Sequence, residues 1–217
     1  MTFDAVMTRL AALSSPDLLA RNASNGGGSV PMGDLRALAK AIRTDHALGQ
    51  QLWATGQVDA RLVALLIVKP KALSAAQVEA MVRSNDRLWV SDWLNSYVVK
   101  QHPDKDSLRQ KWAHDTHPFV ARAYWSLTAE RVTKSPEGLD QAALLDRLAA
   151  EMPGADPVVQ WTMNTTLAAI GISRADLRAG AVALGEAMGI YRDYPTPKGC
   201  TSPFAPLWIA EMVRRAG

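Results

Sequence analysis

Apolar residues recur at helical spacing along almost the whole 217-residue chain. No stretch shows the two-residue alternation of a strand bounded by hairpin turns. Val98-Val99 and Ile67-Val68 are β-branched, but both are short and sit inside longer helical patterns. That single feature confines the chain to an all-α fold. Start signals divide the helices. Met32 to Arg43 follows Pro31 and sets Leu35, Leu38, Ala39 and Ile42 on one stripe. Ser74 is placed to cap Ala75 to Arg83, and Asp156 with Pro157 opens a segment that ends near Ile170. Ser173 precedes a segment from Arg174 to Met188, and Ser202 with Pro203 begins the last helix. The pattern predicts about twelve helices.

Three segments echo one another: Val58-Asp59-Ala60-Arg61-Leu62, Val120-Ala121-Arg122-Ala123 and Val158-Val159-Gln160-Trp161. Each opens a strongly apolar helix after a polar turn, at irregular intervals of roughly 40 to 60 residues. Degenerate helix pairs of this kind must cover each other's apolar faces. The expected architecture is a curved solenoid of antiparallel helix pairs, an α-α superhelix whose inner helices line a concave surface. Gly26-Gly27-Gly28, inside Ser24 to Ser29, suggests a hinge between an N-terminal helical segment (1–29) and the repeat body (30–217). A second loop, Tyr191 to Gly199, holds Pro195, Pro197 and Gly199.

Composition narrows the function classes. Apolar residues make up 48% and charged residues 21%, a balance that supports a packed core. The longest apolar run, Leu62 to Val68, is too short to cross a bilayer. Met1 to Leu13 carries Asp4 and Arg9 and lacks the organisation of a signal peptide, so a cytoplasmic protein is expected; a monomer is the expected state. The one cysteine, Cys200, excludes an internal disulfide and a thiolate-rich metal site. His102, His114 and His117 lie close in sequence, and the last two could share a helix edge. No carboxylate–histidine set completes a metal site, and exposed histidines near a helix boundary are the simpler reading. The three glycines lack a preceding strand and a following Lys-Ser/Thr, so they form no phosphate loop. No Gly-x-Ser-x-Gly elbow occurs.

Net charge is only +3, but its distribution is uneven. Residues 1–99 carry 10 basic and 8 acidic side chains, and residues 136–217 carry 7 and 9. Between Lys100 and Lys134 stand Lys100, Lys105, Arg109, Lys111, Arg122, Arg131 and Lys134 against four acids. A local cationic zone between near-neutral flanks is either a solvated helical face or a set of phosphate contacts.

The most unusual constellation is Leu88-Trp89-Val90-Ser91-Asp92-Trp93-Leu94-Asn95. Trp89 and Trp93 share a helix face, and Asp92 borders it. Two readings fit. The tryptophans are core residues beside an aspartate bonded to a neighbouring helix, or they form an aromatic slot with a carboxylate wall, which favours a cation. Arg122 lies among apolar residues, and a buried arginine needs an acceptor, for which Asp92 and a DNA phosphate are the candidates. Arg61 reads as structural, with Asp59 or Asp45 as partner. Trp53, Trp112, Trp161 and Trp208 occupy apolar stripes and read as packing.

Taken in order, these residues resemble the DNA-alkylation-repair family, the AlkD-like DNA glycosylases with HEAT-like repeats. The resemblance rests on Asp34 to Lys40, Asp45-His46 with Leu52 to Gly56, Asp59 to Leu62 and the Trp–Asp helix at 89–93. It continues through Phe119 to Ala123, Thr166 to Gly171 and Gly199 to Pro203. It implies binding of alkylated duplex DNA on the concave face, with Arg122 at a phosphate, and the cationic zone adds Lys100, Lys105, Arg109 and Lys111 as expected DNA contacts. It also implies removal of N3- or N7-alkylated purines without cofactor or metal, with Asp92 as the catalytic carboxylate and Trp89 or Trp93 as its aromatic partner. The chain departs from the family pattern twice. Leu88 stands where a tryptophan four residues before Asp92 is expected, and Thr165 stands near the place of a second tryptophan. Trp161, one turn earlier, or Trp93 is available as a substitute. The alternative implied by these departures is a HEAT-like module that binds DNA or protein without catalysis. A scaffold that touches no nucleic acid is a third class.

Overall fold

The computed structural model describes residues 1–216, apart from the side chain of Asn25. Among them are thirteen α-helices, joined by turns and short 3-10 segments, with no strand. The chain divides into two compact units, one covering Met1–Leu108 and a second beginning at Arg109.

The first unit contains α1 (Phe3–Leu13), α2 (Pro16–Asn22), α3 (Met32–Ile42), α4 (His46–Ala54), α5 (Val58–Ile67), α6 (Ala75–Arg83) and α7 (Leu88–Tyr97). Helix α5 is its centre and packs on α1, α3, α4 and α7. The sequence explains why: Ala60, Leu62, Val63, Ala64, Leu65 and Ile67 are all buried, so the helix is apolar around most of its circumference. Gly49 lets α4 come close, because a Cβ there would lie 2.5 Å from Cγ1 of Val68. Helix α6 starts as its cap requires. Ser74 Oγ accepts from the Gln77 amide, and the Gln77 side chain accepts from the Ser74 amide, a complete capping box.

Helix α8 (Lys105–Lys111) crosses into the second unit, which holds α9 (Pro118–Lys134), α10 (Gln141–Glu151), α11 (Pro157–Ser173), α12 (Arg178–Met188) and α13 (Ala205–Ala216). Helix α11 is the core here and packs on α9, α10, α12 and α13. Thr166, fully buried, donates its hydroxyl across to the Trp125 carbonyl of α9 at 3.0 Å. Gly171 admits α13: a Cβ would meet Cδ1 of Ile209 at 2.5 Å.

Two helix starts differ from the sequence expectation. Helix α11 runs through Ser173, and α12 begins only at Arg178 after a turn held by the Arg174–Asp176 ion pair. Ser202 does not cap a helix at Pro203. Its hydroxyl accepts from the Phe204 amide at 3.2 Å in a local turn, and α13 starts at Ala205. His114 and His117 share no helix edge, since His114 lies in a turn and His117 precedes α9. His102 is buried at 2% exposure rather than exposed. Its Nδ1 accepts from the Asp104 amide, which leaves Nε2–H to donate to the Leu73 carbonyl at 2.9 Å.

Candidate nucleic-acid interface

Helix α7 carries the Trp–Asp constellation, and a buried asparagine sets its start. Asn85, 2% exposed, accepts from the Arg87 amide and donates to the Arg87 carbonyl, closing the turn that launches the helix. Trp89, Trp93 and Tyr97 then fall at successive i, i+4 positions along one face. Trp93 is 7% exposed, with the Tyr97 ring 5.3 Å away and the Arg36 guanidinium of α3 over it at 5.4 Å. Its face is therefore covered. Trp89 is half-buried and Asp92 is exposed.

What holds Trp89 is the glycine segment. A Cβ on Gly27 would sit 2.0 Å from Cε3 and 2.2 Å from Cζ3 of the Trp89 ring, so the indole lies directly against bare backbone. Gly27 and Gly28 are buried, and the segment is tied down. Asp59 of α5 accepts from the Ser29 amide and hydroxyl, both at 2.9 Å, and from the Val30 amide at 3.3 Å. Asn22 donates to the Gly28 carbonyl at 2.8 Å. A Cβ on Gly28 would fall 1.8 Å from Asp59 Oδ1. The segment packs as a seat for Trp89.

Asn95, a residue that spacing did not single out, lies one turn beyond Asp92. It is 5% exposed, and its Oδ1 has no hydrogen-bond partner among the described residues. No motif marks it. Only the combination of burial and an unused acceptor does so.

Arg61 is bonded to neither Asp59 nor Asp45. Asp59 serves the glycine segment, and Asp45 caps α4 through the Leu48 amide. Arg61 instead lies over the Trp53 ring at 4.7 Å and donates to the Trp53 carbonyl at 3.3 Å. Burial lowers its pKa from the ordinary arginine value, and nearby Asp86 partly opposes that shift.

The cationic stretch is distributed as follows. Lys100 is half-exposed in a 3-10 turn, Lys105 and Arg109 are half-exposed four residues apart on α8, and Lys111 is exposed. Lys134 pairs with Glu130 at 3.1 Å on α9, and Arg131 donates to the Glu137 carbonyl at 3.0 Å. Arg122 is only 3% exposed and donates through NH1 to the Val158 carbonyl at 2.6 Å, pinning α9 to the first turn of α11.

In the second unit Trp161 is half-buried against Tyr191 and Tyr194, with ring centroids at 5.3 and 5.7 Å. Thr165 donates to the Trp161 carbonyl at 2.9 Å. Burial raises the Tyr191 phenol pKa, while the charge of Arg122 pulls it back.

The fold is that of the HEAT-like repeat DNA glycosylases and their relatives. A solved structure described as "a new family of proteins related to the HEAT-like repeat DNA glycosylases with affinity for branched DNA structures" aligns with a TM-score of 0.80 and 22% sequence identity. The alignment covers 100% of this chain and 95% of that one. No curated protein matches the chain. The family model described as "DNA alkylation repair enzyme" matches residues 6–205, and the chain belongs to that family.

Proposed function

We propose that this protein binds duplex DNA and hydrolyses the N-glycosidic bond of purines made cationic by N3 or N7 alkylation, with Asp92 as the carboxylate at the reacting sugar. The observation that carries this reading is the exposed Asp92 one turn from Trp89, whose indole is fixed against the Gly27 backbone. Alkylation leaves the base positively charged, so the C1′–N bond can break with its electron pair departing on a neutral base. Positive charge then grows on the deoxyribose. A carboxylate beside C1′ stabilises that charge and orients the attacking water, and an aromatic edge against the sugar adds to it. Water oxygen bonds to C1′, and its proton passes to Asp92 or to solvent. Lys100, Lys105, Arg109 and Lys111 hold backbone phosphates. Arg122, largely enclosed, ties α9 to the first turn of α11 through its bond to the Val158 carbonyl.

A second reading is favoured by specific observations. Trp93 is covered by Arg36, Leu88 stands four residues before Asp92, and Thr165 is engaged with the Trp161 carbonyl. A protein so built binds DNA without cleaving it, and the structural relative's affinity for branched DNA is in keeping with that. Base release from duplex DNA carrying N7-methylguanine separates the two. Release by the wild type and its loss in Asp92→Asn supports hydrolysis. Binding without release from either protein supports the module.

A further inference from the structure

The loop after α12 encloses an open cavity of about 270 Å³ that neither the Asp92 site nor the cationic helix uses. Its walls are the rings of Trp161, Tyr194 and Trp208, with Pro195, Pro197 and Pro203 completing the apolar surface. Tyr194 is 47% exposed, one of few large apolar side chains left open to solvent among the described residues. Tyr191 behind it holds φ of 63°, a left-handed backbone that side chains other than glycine rarely adopt. Such strain persists where the surroundings enforce it and clusters at ligand sites. Here it brings the Tyr191 ring within 5.3 Å of Trp161 and 5.8 Å of Tyr194.

We infer that this cavity takes a single unstacked nucleobase of a DNA strand, an inference that rests on the proposed DNA binding. Three features select that occupant. The volume lies just below the usual range for small-molecule pockets, roughly 300–1,000 Å³, and so suits one flat ring system. Three aromatic side chains in its lining, Trp161, Tyr194 and Trp208, offer stacking partners for the π-face of a base, which a paired and stacked duplex does not present. The cavity also carries hydroxyls, from Thr196, Thr201 and Ser202, that can meet the polar edge of a base. The exposed cation Lys198 belongs to the same loop, where the phosphate of an extruded nucleotide would need it, while Arg192 is paired with Glu186 at 2.8 Å.

The test compares the affinity of the full chain for two duplexes identical but for one bulged position, adenine in one and an abasic residue in the other. Both carry the same number of backbone units and phosphates, so their ratio reports on the base, and the Tyr194 variants separate its stacking on the protein from its effect on the duplex. The adenine bulge should bind about tenfold more tightly, the effect expected of one base–aromatic stack. Tyr194→Ala should bring the ratio close to one, and Tyr194→Phe, which keeps the ring, should restore it. Equal affinity for the two bulges in the wild type overturns the inference, as does a ratio that Tyr194→Ala leaves unchanged. Failure of the wild type to bind either bulge or a fully paired duplex at low salt overturns the DNA-binding reading itself, and this inference with it.

Discussion

Replacing Gly27 by alanine tests how the candidate site is held together. The added methyl would lie 2.0 Å from one atom of the Trp89 ring, 2.2 Å from another and 2.9 Å from Cβ of Asn22. All three are far inside van der Waals contact, and the indole is too rigid to yield at one atom. The ring must leave its seat or the 26–29 segment must lift off Asp59. Overpacking of this kind costs about 1–3 kcal/mol. For a chain of this size, 2 kcal/mol corresponds to a fall in Tm of about 4–8 °C. Urea unfolding followed by circular dichroism measures the loss. A double-mutant cycle then identifies its cause, because Trp89→Ala removes the obstacle. In that background Gly27→Ala should cost much less, with only the 2.9 Å approach to Cβ of Asn22 remaining, giving a coupling of about 1–2 kcal/mol. If the two substitutions are additive, or if Gly27→Ala is as stable as the wild type, the seat described for Trp89 is wrong.

Other substitutions probe the remaining links. Arg122→Met keeps the volume of the stem but loses the bond to the Val158 carbonyl, and it should lower stability in urea by about 1.5–3 kcal/mol. Because the Arg122 charge opposes the upward shift of Tyr191, the same variant should push that phenol's titration higher still, as followed by ultraviolet absorbance. Ser74→Ala removes one half of the α6 capping box and should cost about 1 kcal/mol in the same urea titration. Hydrogen bonds from Arg214 and Arg215 lower the half-exposed Glu211 carboxyl to about 2 from 4.5. A depressed folded pKa stabilises above the unfolded value, so this contribution is present above pH 4.5 and lost as pH falls through about 2. Glu211→Gln should remove that acid-limb dependence of C-terminal helix protection, measured by amide exchange.

The contrast between what the sequence made legible and what it hid has a physical pattern. Local rules worked where the interaction is local. The Ser74 cap of α6 and the Asp156–Pro157 start of α11 involve groups two or three residues apart, and both appear as read. The same rule misplaced α12 and α13, because Ser173 lies inside a longer helix and Ser202 closes a turn one step earlier. Compositional reading made Gly26 to Gly28 a hinge. The contacts that bury the segment come from Asp59 and Trp89, far along the chain, and leave no local trace. Arg61 and Arg122 show the same limit. The charge of Arg61 points to a carboxylate partner, whereas its guanidinium donates to the Trp53 carbonyl, and Arg122 holds the Val158 carbonyl; backbone carbonyls are carried by every residue and no sequence pattern marks them. Asp92 and its tryptophans were legible as a group. That Trp93 is covered and Trp89 half-open required coordinates.

The dependence of DNA affinity on salt tests the central claim, a grip supplied by the cationic stretch, most directly. If Lys100, Lys105, Arg109 and Lys111 each neutralise one phosphate, log K should fall with log salt at a slope of about −3.6. Replacing Lys105 and Arg109 together by alanine should reduce that slope by about 1.8. Affinity that does not respond to salt, or a slope indifferent to those two substitutions, would contradict the account.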